Sequence, residues 1–174
     1  MFRSGHSQAA QAQLDAVARR VSRAGGLYEW YTIDDQGRGS PRYAGNVGAL
    51  SAALFQGLFG LDSRAEGLNI TVRLGAASGS VRTCEPATGR RIAYRYSVEP
   101  GGRRARLEFE ADASGQGRLA VRLPGSQAPA AVLLDGVPIR HALETVGDEA
   151  HVVISTDWSR HSLELRLPSA GPGS

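Results

Sequence analysis

The sequence predicts an α+β protein: a helical hairpin over residues 1–67 followed by an antiparallel β-sandwich over residues 68–168. Three observations predict it. Apolar residues recur at helical spacing as far as Leu58, beyond Gly67 they switch to strict alternation, and turn residues then punctuate the alternating runs. With 174 residues, 41% of them hydrophobic and 21% charged, the chain is long and apolar enough to bury a core.

Residues 7–24 read as one amphipathic helix. Ser7 is placed to cap it, Leu14, Val17, Ala18 and Val21 share one face, and Gly25-Gly26 stops it. Residues 27–33 suit a short extended segment, and 34–41 carry turn residues at almost every position, Gly37, Gly39 and Pro41 among them. From Asn46 to about Phe59 a second helix places Val47, Leu50, Leu54, Phe55 and Leu58 at helical spacing with small residues between. A helix so nearly apolar all round belongs inside something larger than two helices. Residues 62–67 read as a polar connector.

Alternation then places Leu68, Ile70, Val72 and Leu74 on one side of a strand. The pattern returns at Ile92 to Val98, Ala105 to Ala111, Leu119 to Leu123 and Leu163 to Leu167. Gly101-Gly102, 114–117, Asp135-Gly136 and Gly147-Asp148 mark turns. Asp135-Gly136 is the strongest, because both central positions of a two-residue hairpin require positive φ. About eight strands with one apolar face each make a sandwich. Residues 169–174 read as a disordered tail.

All 20 basic residues are arginine, yet net charge is only +3 and the arginines are scattered, many alternating with apolar residues on strands. A nucleic-acid surface would cluster them with aromatics, so that partner is not expected. The single Cys84 excludes an internal disulfide and reads as a small apolar strand residue. No apolar run reaches membrane-spanning length and no leader is recognisable, which gives the expectation of a cytoplasmic chain with no membrane partner. His141, His151 and His161 are evenly spaced but fall on different strands. A hairpin centred on Gly147-Asp148 pairs His151 with Glu144, so no metal site is expected. No phosphate loop or serine nucleophile elbow is present, and no cofactor is implied.

Chemistry concentrates in residues 26–61. Tyr28-Glu29-Trp30-Tyr31 sets a carboxylate among three aromatics, the Gly-rich loop follows, and Tyr43 precedes the apolar helix. This order resembles the last helical hairpin of the six-hairpin, (α/α)6-toroid glycosidases, the trehalase-like and α-glucosidase-like inverting class. The matching residues are Glu29 and Tyr31, Gly37 and Gly39, and Tyr43, with Gln56 to Leu61 and Gly67 to Ile70 resembling the passage from toroid to trailing β-domain. The likeness covers roughly residues 20–75, and Asn46 departs from it where a Trp often stands.

The resemblance implies that Glu29 is the general base of an inverting hydrolysis, with Tyr28, Trp30, Tyr31, Arg42, Tyr43 and Asn46 contacting carbohydrate. Planar aromatics carry sugar C–H faces, and Asp34, Asp35 and Arg42 offer hydrogen bonds to hydroxyls, although both aspartates also suit a turn. Inversion needs a second carboxyl about 6.5 to 9.5 Å away. In this class the acid comes from an earlier hairpin, and twelve helices need roughly 200 residues. The chain is therefore expected to be a C-terminal fragment, inactive alone. Its exposed helices around Leu50, Leu54 and Leu58 would meet the missing toroid segment or another copy.

Two other readings compete. One is a non-catalytic carbohydrate-binding or interaction module, which aromatics in a groove on the sheet face would favour. The other is a toroid-type polysaccharide lyase, which a His or Arg beside Tyr31 or Tyr43 would favour.

Overall fold

The protein is described from a computed structural model covering residues 1–64, 66–85 and 88–168; the expected tail, 169–174, lies outside the described residues. A 3₁₀ turn over Phe2–Ser4 leads into helix α1, Ser7–Ala24, which ends at Gly25 in the left-handed region (φ 71), as the sequence predicts. The start of α1 corrects the sequence reading. His6 occupies the cap position without a side-chain bond, and Ser7 is the first helical residue. Its N–H and Oγ both donate to the carboxylate of Glu149, at 2.6 and 2.8 Å. The anion that satisfies this helix terminus thus comes from the far end of the chain.

The loop after α1 forms a two-residue ladder between β1, Trp30–Tyr31, and β2, Gly37–Arg38. Helix α2 spans Ala44–Ala52 and continues as a π-helix over Ala53–Leu58, closed by Phe59 N–H donating to Leu54 O at 2.8 Å. No residue of Ala44–Ala52 is buried, Leu50, Leu54 and Leu58 are half-buried, and Val47 and Phe55 remain 45% and 39% exposed. The helix whose sequence suits an interior lies largely uncovered.

The polar connector expected over 62–67 is partly a strand. β3, Leu61–Arg64, pairs with β4, Gly67–Val72, because Leu61 is buried opposite Ile70 while the polar residues face out. β5, Gly79–Cys84, escapes the alternation test because Val81 is its only buried residue. Cys84 lies on this strand but is exposed, not an apolar core residue. The remaining strands are β6, Arg91–Val98; β7, Arg104–Ala111; β8, Gly117–Arg122; β9, Ala131–Leu134; β10, Val137–Pro138; β11, Ala142–Val146; β12, Glu149–Thr156; and β13, His161–Arg166. Asp135 (φ 51) and Gly136 (φ 82) make the tight β9–β10 turn, and Glu144 pairs with His151 across β11–β12.

The architecture is α+β and mostly β. One sheet has six strands in the order β10-β9-β13-β7-β6-β5, all antiparallel. The other has five, β11-β12-β8-β4-β3, and departs from the all-antiparallel expectation where β4 and β8 run parallel. Ile92, Tyr96, Leu107, Leu163 and Leu165 of the first join Leu68, Ile70, Leu119, Val121 and Val152 of the second in one core. Burying each such aliphatic side chain contributes about 1.5–3 kcal/mol. Trp158 closes this core edge-on to Phe109, and Gly117 is required beneath it, since a Cβ there would fall 2.3 Å from the indole.

The N-terminal segment packs on the five-stranded sheet at close quarters. Gly5 (φ 77) lies against Val146, where a Cβ would meet the carbonyl oxygen at 1.8 Å, and Phe2 packs on Gly57. Arg73 of the stretch after β4 donates to the carbonyls of Gln56 and Gly57, at 3.2 and 2.7 Å. Among the described residues, no helix is long and apolar enough to cross a membrane.

Candidate functional site

The loop between the two helices is fastened by its own backbone and by two side chains that the sequence reading assigned to sugar contact. Tyr31 Oη donates to Gly26 O at 2.9 Å and accepts from Tyr28 N–H at 3.1 Å. Asn46, in the first turn of α2, donates its amide to Tyr28 O at 2.6 Å and to Glu29 O at 3.1 Å. Glu29 N–H donates to Ser40 O, and Tyr43 N–H to Leu27 O. The backbone of residues 26–29 is thus held by Tyr31, Ser40, Tyr43 and Asn46.

The two glycines of the loop are needed for close approach. A Cβ on Gly37 would lie 2.1 Å from the Tyr28 ring. One on Gly39 (φ 75) would lie 2.6 Å from Glu29 Oε2 and 3.0 Å from Trp30 Cζ3. The carboxylate of Glu29 and the indole of Trp30 therefore share one small patch over bare backbone. Glu29 is exposed, Trp30 is 54% exposed and Tyr43 41%, while Tyr28 and Tyr31 are half-buried edge-on to each other. Arg42 is exposed, and its backbone bridges to Leu27.

The aspartates act on the loop itself. Asp34 takes the Thr32 hydroxyl, which with the local backbone holds its pKa below the usual carboxylate value. Asp35, in the left-handed region (φ 62), takes Arg20 Nε at 2.6 Å and Arg23 at 3.2 Å, so it anchors the loop to α1. Arg20 in turn lies over the Tyr31 ring, 5.6 Å from its centroid. Behind the loop, a groove of ≈ 490 Å³ is lined by Phe2, Leu14, Val17, Leu27, Tyr31 and Leu50, among others. A second, ≈ 400 Å³, runs along Leu14, Ala18, Val21, Leu50, Leu54 and Leu58. Both are apolar and open between α1 and α2.

A second cluster, unseen in the sequence, has the outline of a serine hydrolase triad. Ser159 Oγ lies 3.0 Å from His161 Nε2, and Asp135 Oδ2 lies 2.6 Å from Nδ1. Asp157 breaks the analogy, because its Oδ1 sits 3.0 Å from the same Nε2 and 2.5 Å from Ser159 Oγ. Partial burial opposes the imidazolium, yet the hydrogen bonds to Asp135 and Asp157 outweigh it and the pKa of His161 is raised. Asp157 is held at about 2 by the Ser159 hydroxyl and N–H together with His161. A ring engaged by a carboxylate at each nitrogen has no nitrogen left to serve the serine hydroxyl alone, which departs from the triad arrangement. The cluster pins the β9–β10 turn to the β12–β13 turn. Among the described residues, no group of three His, Cys, Asp or Glu side chains is placed to hold a metal.

The third group is the clamp under α1. Glu149 and His151 are buried, and Arg122 Nε lies 3.2 Å from Glu149 Oε1. Both His151 ring nitrogens are buried without a partner among the described residues, and burial lowers its pKa. Nothing local in the sequence marks this group, because its members meet only when the chain ends meet.

No family model matches this sequence, and no curated protein matches it. Among solved structures, it shows a likeness to a GH127 β-L-arabinofuranosidase from Geobacillus stearothermophilus T6, 20% identical over 71% of this chain and 18% of that one, with a TM-score of 0.48. A second likeness is to a GH31 dextranase from Flavobacterium johnsoniae, 7% identical over 57% of this chain and 16% of that one, with a TM-score of 0.40. The chain spans less than a fifth of the length of either.

Proposed function

We propose that this chain is the C-terminal part of a glycoside hydrolase acting on oligo- or polysaccharide by inversion, with Glu29 as general base. The observation that carries the reading is the patch over Gly39. An exposed carboxylate and an exposed indole are held side by side on a loop whose backbone is fixed by Tyr31, Asn46 and Ser40. A general base needs fixed geometry and access to water, and a sugar ring needs a flat apolar surface beside it. In this arrangement Trp30, Tyr43 and Arg42 face the carbohydrate, while Tyr31 and Asn46 act by positioning the loop.

The uncovered apolar faces of α1 and α2 support the same reading. Val17, Val47 and Phe55 are exposed, and the two grooves between the helices await side chains. Earlier helical hairpins of a toroid would fill them and carry the general acid. The β-part would then be the trailing sandwich, and the isolated chain would hydrolyse little.

The competing readings find less support. The aromatics of the β-part, Tyr94, Tyr96, Phe109 and Trp158, are buried, which leaves the sheet faces without a stacking platform of the kind a binding module uses. Arg20 does stand beside Tyr31, as a lyase would want, but over the ring face, and the Tyr31 hydroxyl is engaged with Gly26 and Tyr28.

The test is the coding sequence upstream of Met1, read in frame. If it encodes further helical hairpins, Glu29→Gln in the longer protein should lower kcat about a thousandfold with sugar binding retained. A stop codon followed by a start signal just before Met1, or an undiminished kcat in that variant, overturns the reading.

A further inference from the structure

The outward face of the six-stranded sheet carries a trough that the reading of Glu29 does not use. Its floor is Ala93, the small residue in a row that pairs Arg82 with Ala93 and Ala93 with Glu110. The next row pairs Ser80 with Arg95 and Arg95 with Glu108. Arg160, from the β12–β13 turn, also lines it. Two adjoining depressions of ≈ 480 and ≈ 720 Å³ share Arg82, Ala93, Glu110 and Arg160 and run from Arg95 to Arg91 along β6. The four residue steps from Arg91 to Arg95 make this about 13 Å long.

Charge on this face is unevenly spent. Arg91 pairs with Asp112, Arg106 with Glu108, and Arg104 and Arg166 with Glu164. Among the described residues, Arg82, Arg95 and Arg160 stand outside every ion pair, and of the carboxylates lining the trough only Glu110 does. Three free guanidiniums against one free carboxylate call for an anion with hydroxyls. Carboxylates of the ligand would take the arginine forks, and its hydroxyls would donate to Glu110 and meet Ser80. A phosphodiester chain fits worse, because each linkage brings charge past Glu108 and Glu110 and no exposed aromatic is there to stack a base.

We propose that this trough binds a short acidic sugar chain of the uronate type, its carboxylates on Arg82, Arg95 and Arg160. The proposal is independent of the reading of Glu29, and Glu29→Gln leaves this binding unchanged, so either can fail alone.

Isothermal titration of the intact chain with trigalacturonate, a neutral galacto-trisaccharide and a single-stranded oligonucleotide tests it. The uronate should bind, weaken as salt is raised, and lose about tenfold or more in affinity in the Arg82→Gln/Arg95→Gln variant. These arginines are exposed, so that variant should keep the parent's melting temperature, which verifies its fold. Equal affinity for the neutral sugar, preference for the oligonucleotide, undiminished binding by the double variant, or no binding of the uronate at low salt each overturns the proposal.

Discussion

Replacing Glu149 should separate the helices from the sheets. Its side chain is 5% exposed and accepts from Ser7 N–H at 2.6 Å, Ser7 Oγ at 2.8 Å and Arg122 Nε at 3.2 Å. Glu149→Ala removes the acceptor for two donors at the α1 terminus and leaves Arg122, 18% exposed, with only a long 3.4 Å bond to Arg73 O among the described residues. Hydrogen bonds to a charged group contribute about 1.5–3 kcal/mol each, and breaking a buried ion pair costs about 3–5 kcal/mol. These overlap, so the expected loss is about 3–5 kcal/mol, whereas Glu149→Gln, which keeps one acceptor, should lose about 1–2 kcal/mol. Urea unfolding followed by far-ultraviolet circular dichroism and by tryptophan emission checks this. With Trp30 replaced by Phe in every protein compared, the buried Trp158 alone reports the core of the sheets, while the helices dominate the signal at about 222 nm. In the parent the two transitions should coincide, and in Glu149→Ala the helical signal should be lost first. Coincident transitions with a loss below about 1 kcal/mol would refute the clamp.

Three further outcomes are expected. His151, buried without a partner among the described residues, has a lowered pKa, so the unfolded chain binds more protons just below 6.5 and stability falls as pH drops through that range; His161, with a raised pKa, keeps its contribution below 6.5 and loses it as pH rises through its folded value. Melting temperature should therefore peak near 6.5, His151→Phe should flatten the acid limb and His161→Gln the alkaline one, and limbs unchanged in these variants would refute the assignment. Tyr31→Phe removes the hydroxyl that bridges Gly26 and Tyr28, which should cost about 1 kcal/mol and speed amide exchange at Tyr28, measured by hydrogen exchange. Val47→Gln with Phe55→Gln should lower self-association in sedimentation velocity without lowering the melting temperature, because both side chains are already exposed.

The legible parts of the fold were those whose determinants are near in sequence. Strict alternation gave β4, β6, β7, β8 and β13 almost to the residue, and the turn chemistry of Asp135-Gly136 and Gly147-Asp148 gave two hairpins with the right register for His151 and Glu144. β3 and β5 are not legible in the sequence because each buries a single side chain, which no periodicity can show. At the candidate site, the sequence marked the loop but not the division of labour within it. That Tyr31 and Asn46 hold backbone, while Trp30 and Glu29 stay open, depends on where the loop folds back. The trough arginines read as scattered in the sequence because two strands and a distant turn bring them together.

Helix α1 shows why the rest was illegible. Its residues read as an amphipathic helix that should bury a stripe, yet only Ser7 and Ala10 are buried, and Leu14 and Val21 border open grooves. Propensity and a lone stripe do not hold such a helix in place, since most helical stability comes from packing. What ties α1 to the sheets is polar and at one end: Glu149 at its first residue, with Gly5 and Phe2 fitted against Val146 and Gly57 just before it. A helix fastened at one terminus and uncovered along its length has its strongest contact where the sequence shows only a serine. The apolar stripe retains its meaning as a surface still to be covered, and this is why the exposed Val17, Val47 and Phe55 bear on function more than on the stability of the chain as it stands.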